Sequence, residues 1–413
     1  MRTAIVAAWL AAGAAACHAA GFEFSGQVRP EWLQQTANGN GPLAGASALS
    51  PGLVALPGSG PVVESELHAQ GHGFTGIATW TTQRLRGTGQ PEATQGSAWV
   101  DELYWSGGSK DGWQFSVGKK IVSWDVGYGF RPNDFVEQEV RRTLLTVTPE
   151  GRPLVAAEHF SATTAWSLVL VNPTGPHGGR GANEPALALR AYRRDGAVDW
   201  YGYARLGSHT GASAGAAAAW VASESIELHG SVRMLNQADS ISTGGASGLV
   251  RSDPWHDATI RGPVQWLVGG TWTNADQLSL LVEGWWDGTA LSDAAWDAWN
   301  MRHRGLAALA GTAPAGAVAG NLAWQADAFG AAQNLRRANA YARLSWQHDK
   351  WEPAIDLLVE PADAGHAITA SLGWQGDRIR VDAGARFYGG PGSAVLAQIP
   401  TRRIVYAALT YSF

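Results

Sequence analysis

From residue 22 to the end of the chain, apolar and polar residues alternate with a period of two over one stretch after another. Over 377–388, Ile379, Val381, Ala383, Ala385 and Phe387 oppose Arg378, Arg380, Asp382, Arg386 and Tyr388. Over 351–360, Ile355, Leu357 and Val359 oppose Glu352, Asp356 and Glu360. A period of two puts successive side chains on opposite faces of a β-strand. The pattern predicts strands over 22–34, 62–71, 74–84, 96–106, 112–121, 152–160, 164–172, 185–195 and 197–207. It continues over 212–223, 225–236, 263–274, 277–288, 334–347, 351–360, 365–375, 377–388 and 402–413. These segments make an all-β chain of eighteen strands, an even number, each of about ten residues.

The connections between them sort by parity. Those after even-numbered segments are brief, as at Gly71-His72-Gly73, Asp195-Gly196 and Asn274-Ala275-Asp276. Every long one, 35–61, 122–151, 237–262, 289–333 and 389–401, follows an odd-numbered segment. Two odd connections, 208–211 and 361–364, are short, so the rule is one-sided. Short turns at one end and long loops at the other are what an antiparallel transmembrane β-barrel shows. The charged face of each strand then points inward, because Arg or Lys on the lipid side would cost roughly 2–4 kcal/mol near the midplane. The inward, pore-lining set is Arg190, Arg205, Glu227, Arg233, Glu283, Arg337, Arg343, Glu352, Asp356, Glu360, Arg378, Arg380, Asp382 and Arg386. Acids and bases are mixed, so strong ion selectivity is not expected. They either select and orient solutes or pair across strands and stiffen the wall.

Tryptophan supports the same geometry. The chain holds 21, against 10 Phe and 9 Tyr. Trp105 and Trp113 flank one brief turn, Trp346 and Trp351 another, and Trp166, Trp200, Trp220, Trp272 and Trp374 lie close to others. Indole favours the membrane–water interface, which makes Trp105, Trp113, Trp200, Trp346, Trp351, Trp374 and Phe413 candidates for an aromatic girdle.

Met1–Ala20 carries Arg2, then an apolar run from Ala4 to Ala16, then small residues. It reads as a secretory signal peptide of residues 1–20, leaving a barrel over 21–413. Lipidation at Cys17 is disfavoured, because Ala14 stands where such signals prefer a larger apolar residue. Cys17 is the only cysteine, so a cleaved chain has no disulfide, no CxxC redox site and no thiolate metal site. With 30 basic and 35 acidic residues the chain lacks the basic surplus of a nucleic-acid binder.

The ending Val405, Ala407, Leu409, Tyr411, Phe413 resembles the closing strand of bacterial outer-membrane β-barrels, and in that family the ending is read by the assembly machinery. Residues 118–134, with Trp124, Asp125, Gly127, Tyr128, Phe130, Pro132, Asn133 and Asp134, resemble a pattern in alginate-export-like and related outer-membrane barrels. That likeness covers about thirty residues. In porins a long loop folds inward and narrows the channel. The candidate here is 122–151, with Trp124, Asp125, Arg131, Asn133, Asp134, Glu137, Glu139, Arg141 and Arg142. The plainer alternative is a loop packed on the rim. The Pro-Glu-Phe eyelet of general trimeric porins is missing from the sequence, which puts that subfamily in doubt. Over 291–310, Ser292, Asp293, Trp296, Trp299 and Leu306 predict a capped helix in the largest loop.

No catalytic residue, cofactor or metal site is expected. His68 and His72 are four apart but straddle a turn, and there is neither a Gly-x-Ser-x-Gly elbow nor a phosphate loop. The sequence therefore implies a non-enzymatic barrel exported through the periplasm to the bacterial outer membrane. Its expected partners are membrane lipid, the assembly machinery and small solutes, with no nucleic acid, and self-association is left open. The leading expectation is a passive, porin-like channel for small hydrophilic solutes or ions. The alternatives are a gated, substrate-specific conduit or export exit, and a closed binding or structural barrel.

Overall fold

In the computed structural model, which describes residues 21–87, 93–137, 149–175 and 183–413, the alternating stretches form twenty strands. The first eleven are β1 (Glu23–Ala37), β2 (Gly60–Gly71), β3 (Phe74–Leu85), β4 (Ala93–Gly108), β5 (Trp113–Lys120), β6 (Arg152–Phe160), β7 (Thr164–Val171), β8 (Ala186–Asp195), β9 (Val198–Gly207), β10 (Gly211–Ser223) and β11 (Ile226–Leu235). They continue with β12 (Gln237–Ser242), β13 (His256–Arg261), β14 (Val264–Thr273), β15 (Leu278–Asp287), β16 (Ala338–Trp346), β17 (Trp351–Glu360), β18 (Gly365–Gln375), β19 (Ile379–Gly389) and β20 (Thr401–Ser412). All but β12 and β13 belong to one 18-stranded antiparallel sheet, and β1 pairs with β20 to close it. The protein is an all-β barrel. Closure leaves no strand edge, which is the condition for a sheet to sit in lipid.

The faces follow the sequence period. On β7, Ala165, Ser167, Val169 and Val171 are buried while Trp166, Leu168 and Leu170 are exposed. The exposed face is the apolar one around the barrel, with Leu206, Met234, Val268 and Ile355 among its most exposed members. An apolar exterior of this extent suits hydrocarbon and would be unstable in water. At the turn end it is aromatic: Trp105, Trp113, Trp166, Trp200, Trp220, Trp272, Trp346 and Trp351 are all exposed. Phe413 is half-buried, stacked on Tyr411 at 6.3 Å, and exchanges backbone hydrogen bonds with Gly26. The brief turns are tight because they use left-handed residues. His72 and Gly73 sit at φ 52° and 82°, and a Cβ at Gly73 would lie 2.6 Å from the Ser106 carbonyl oxygen.

The long connections hold structure that alternation did not foretell. Within 237–262, β12 and β13 form a separate hairpin. The strand expected over 334–347 begins only at Ala338: the Arg337 carbonyl still accepts the Asp287 amide at 2.7 Å, but the side chains of Asn334 and Arg337 bond Asp287 and the Ala290 carbonyl, and the chain before Arg337 turns out of the ladder. The predicted helix is present as α2 (Asp293–Ala308), preceded in chain order by α1 (Pro42–Leu49) and followed by α3 (Ala315–Gln325). The Ser292 hydroxyl accepts from the Ala295 amide at 3.2 Å, capping α2, whose Trp296, Trp299 and Leu306 are buried. Ala46, Leu306, Val318 and Leu322 bring the three helices into one apolar cluster. A second cluster joins Trp296 and Trp299 to Leu335, Val395 and Leu396. Asn38 donates to the carbonyls of Ala397 and Ile399, and Gln398 donates to Asn300. Trp255 of 237–262 joins the second cluster and its indole donates to the Trp324 carbonyl at 2.6 Å, so four long connections pack into a cap with its own core. The proposed signal segment, residues 1–20, lies outside the described residues.

Candidate functional site: an inward segment and a charged wall

Past β5 the chain does not continue into β6 but turns across the barrel. Trp124, Phe135 and Val136 pack on Leu154 and Ala156 of β6, Val169 and Val171 of β7, Ala186 and Ala188 of β8, Tyr203 of β9 and Ala217 of β10. Asn133 donates to Ser231 of β11 at 2.8 Å, and Phe130 packs on Leu267 of β14 and Trp285 of β15, with Tyr341 and Leu358 of β16 and β17 alongside. These are ten neighbouring strands, spanning roughly 43 Å of wall at about 4.8 Å per strand. The chain goes out from Trp124 to Phe130 and returns to Phe135, so legs of about six residues, reaching at most about 20 Å each, cannot follow that arc on the convex outside. They reach it as a chord, against the concave inner face.

The segment is held by polar contacts at both ends and at its tip. At the tip, Glu283 of β15 accepts the Tyr128 and Gly129 amides, both at 2.6 Å, and bonds His229 of β11 at 2.9 Å; His229 in turn contacts Glu227 at 3.1 Å. Asp125, in a left-handed conformation, accepts from the Asn133 amide at 2.6 Å and the Ser231 hydroxyl at 2.8 Å. Burial pushes its carboxyl above the usual range despite these donors. Arg131 donates to the Gly127 carbonyl and to the Ser123 hydroxyl, while Asp134 accepts the Trp124 amide. At the far end, Arg205 donates to the Phe135 carbonyl and to Glu184, and Arg233 donates to the Pro132 carbonyl with its guanidinium 4.2 Å from the Phe135 ring centroid. Burial works to raise the Glu184 carboxyl, but the Thr210 hydroxyl and the Arg205 cation outweigh it and hold it below the usual range.

Two wall glycines make room for this docking. A Cβ at Gly215 would lie 1.8 Å from Asn133 Oδ1, and one at Gly269 would lie 2.6 Å from Glu283 Cγ and 2.7 Å from His229 Nε2. Both occupy inward strand positions, where glycine otherwise weakens a strand.

Eight of the fourteen charged residues expected along the wall fall into two groups. Arg205, Arg233 and Glu283 are buried beneath the segment and serve as its anchors, a role alternation alone does not distinguish from lining. The other group forms one chain of ion pairs across β16, β17 and β19. Arg343 meets Asp356 at 2.9 Å and Glu352 at 3.4 Å, and Arg380 meets Glu352 at 3.8 Å and Asp382 at 2.8 Å. Tyr341 donates to Asp356 at 2.7 Å and stacks on Tyr128 at 6.1 Å, so this ladder runs up to the tip of the segment. Arg386 donates to Thr369, Glu360 is fully buried near Gly365, Arg378 lies exposed in the turn before β19, and Arg337 precedes β16. Arg190 lies over the Trp124 ring at 5.6 Å. Glu137 is buried, with its carbonyl accepting from Arg152. Glu139, Arg141 and Arg142 lie outside the described residues.

Sequence reasoning left out the acids of the opposite wall: Glu64 and Glu66 on β2, and Asp101 and Glu102 on β4. Glu64 pairs with Arg29 at 2.7 Å, Glu66 with His68 at 2.5 Å, Thr79 donates to Asp101 at 2.5 Å, and Glu102 accepts the Ile121 amide at 2.7 Å. Alternation over 62–71 carried the signal for the first two. The bulge in the β3–β4 register, which turns both Asp101 and Glu102 toward the interior, hid the others.

Closed antiparallel sheet, apolar aromatic-belted exterior, charged interior and inward segment together define a porin-like outer-membrane β-barrel. In fold the chain is similar to Acinetobacter baumannii OccAB1, with a TM-score of 0.52, 9% identity, and 95% of this chain and 96% of that one covered. A triple mutant of the Rhodopseudomonas blastica porin matches at a TM-score of 0.42 and 10% identity over 95% of this chain and all of that one. No family model matches the sequence. No curated protein matches it either.

Proposed function

We propose that the protein is a passive channel of the bacterial outer membrane through which small hydrophilic solutes diffuse, with 121–137 as its constriction. The observation that carries this reading is the placement of that segment. It lies against the inner wall over part of the circumference, and the ion-pair ladder of Arg343, Asp356, Glu352, Arg380 and Asp382 begins at its tip. Side chains of both signs keep such a passage wetted and orient dipolar solutes without strong preference for either ion sign. The reading is of a conduit, not an enzyme. Swelling of liposomes containing the purified barrel, followed with uncharged solutes of rising size, tests it. Entry should fall off steeply with size, and Arg343→Ala or Arg380→Ala should shift the cut-off upward. Liposomes that admit no solute contradict it.

A second reading, a gated conduit or a closed barrel, has the helical cap in its favour. Trp296, Leu306, Leu322 and Val395 give that cap a buried core of its own. Removing 293–330 separates the two. A passive channel gains little permeability from the deletion, whereas a capped one opens.

A further inference from the structure

Helix α2 is the centre of the loop-side cap, and it seats two basic side chains for which the cap provides no acid. Arg302 is buried. Its Nη2 donates to the Asn321 side-chain carbonyl at 2.9 Å and to the Gly248 carbonyl at 3.2 Å, while Nε and Nη1 are buried with no partner. His303, the next residue, lies against the Trp299 ring with centroids 5.5 Å apart. Nδ1, alone of its two ring nitrogens, is buried without a hydrogen-bond partner.

The elements packed on α2 do not compensate either base. Helices α1 and α3 and the segment 389–401 contain no charged residue. The charged groups of the remaining neighbours are Arg251, Asp253, His256 and Asp257 in 237–262, Asp327 in Ala326–Gly330, and Arg336 and Arg337 before β16. Helix α2 itself adds Asp293, Asp297 and Arg304. Arg336 pairs with Asp293 and Asp363, Arg337 donates to the Ala290 carbonyl, and Asp253 accepts the Trp255 amide. Among the described residues none of these carboxylates forms an ion pair with Arg302 or His303. Burial alone acts on both bases, and it pushes the His303 imidazole below its ordinary value of 6.5.

We propose that α2 is an acid-released latch: a second proton on His303 unseats the helix, so the loop-side cap is firm at neutral pH and loosens in acid. A neutral imidazole carries one proton and accepts on its other nitrogen. With Nδ1 enclosed and no acceptor beside it, that proton sits on Nε2. Acid adds the second proton at Nδ1, where the new N–H finds nothing to donate to. Its charge also joins the uncompensated guanidinium of the preceding residue. Both costs vanish when α2 leaves its seat and the two side chains meet water. The seated helix therefore binds this proton more weakly than the unseated one. Seating is at full strength above pH 6.5 and is lost as pH falls through the lower, seated value.

An isolated helix of 16 residues is marginal in water, so unseating shows as lost amide protection. Hydrogen exchange of the folded, full barrel in detergent, followed from pH 7.5 to 5.0 and corrected for the chemical exchange rate at each pH, tests the latch. Amides of 296–306 are the reporter and those of the barrel strands the internal reference. Protection of α2 should be steady above pH 6.5 and fall by up to about tenfold per pH unit below it, while the strands hold. His303→Phe keeps a ring on Trp299 but takes no proton, and its α2 should keep full protection down to pH 5.0. Should that variant unseat the helix already at pH 7.5, His303→Gln takes its place. Wild-type protection that ignores pH overturns the assignment. So does an acid-dependent loss that persists in the neutral variant. Neither readout needs a current, so a barrel that conducts nothing yet shows the His303-dependent loss would refute the channel and keep the latch.

Discussion

Glu283→Gln isolates the clamp at the tip of the inward segment. In the native barrel both carboxylate oxygens are used, one on the Tyr128 amide and on His229, the other on the Gly129 amide. The side chain is 1% exposed, so no solvent stands by to replace it. An amide of the same shape has one acceptor oxygen and turns its NH₂ toward the second backbone N–H. One amide keeps a neutral bond and the other is orphaned. Charge-assisted bonds contribute about 1.5–3 kcal/mol each and an orphaned buried donor costs about 1–3 kcal/mol, so the clamp should weaken by about 2–4 kcal/mol. That is a roughly 30- to 700-fold shift toward an undocked tip. The foot of the segment stays, because Trp124, Phe135 and Asn133 hold it independently. Single-channel recording is the assay. Wild type should give a quiet open level, and Glu283→Gln should give flicker between that level and larger ones. A folded Glu283→Gln barrel as quiet as wild type, at the same conductance, would refute the reasoning.

Other perturbations address the remaining parts of the account. Gly215→Val places a Cβ 1.8 Å from Asn133 Oδ1 and should expel the segment, raising conductance and making Val136→Cys, at a position 1% exposed in the docked segment, reactive to a thiol reagent. The Glu184 carboxyl is held below its ordinary value of 4.5 in the folded protein, so its stabilisation is complete above that pH and is lost as pH falls through the lower folded value. The difference in thermal stability between wild type and Glu184→Gln should therefore be present at pH 6 and shrink steadily on acidification below pH 4.5. Val268→Arg, at a position 58% exposed on the apolar exterior, should cost about 2–4 kcal/mol of folding into lipid vesicles, read from denaturant titration. Trp296→Ala should remove about 3–5 kcal/mol from the cap, exposing 288–337 to protease while the barrel stays folded.

The strands were legible because a membrane barrel enforces strict alternation, lipid on one side and water on the other, and predicted limits fall within a few residues at most ends. The exceptions have local causes. Alternation carries no signal for a strand end displaced by Asn334 and Arg337, nor for the β12–β13 hairpin, which stands apart from the barrel sheet. Helices α1 and α3 read as loop because their Ala- and Gly-rich sequences have weak amphipathicity. They are helical through packing on each other and on Leu306. The inward segment was legible as a motif, since Trp124-Asp125 and Asn133-Asp134 are dense in side chains that bond backbone. Its anchors were not. Glu283 reads from sequence as one more charge on a wet wall, because the amides it accepts come from residues 154 and 155 positions away. Gly215 and Gly269 were visible only as weak spots in strands.

The central claim, an open passage narrowed by 121–137, is tested most directly by single-channel conductance of the purified barrel before and after replacing 123–134 with a short Gly-Ser linker. The account predicts a steady current from the intact barrel and a severalfold larger one from the shortened chain, with little change in ion preference across a salt gradient. An intact barrel that is silent, and conducts only once the segment is removed, would contradict it.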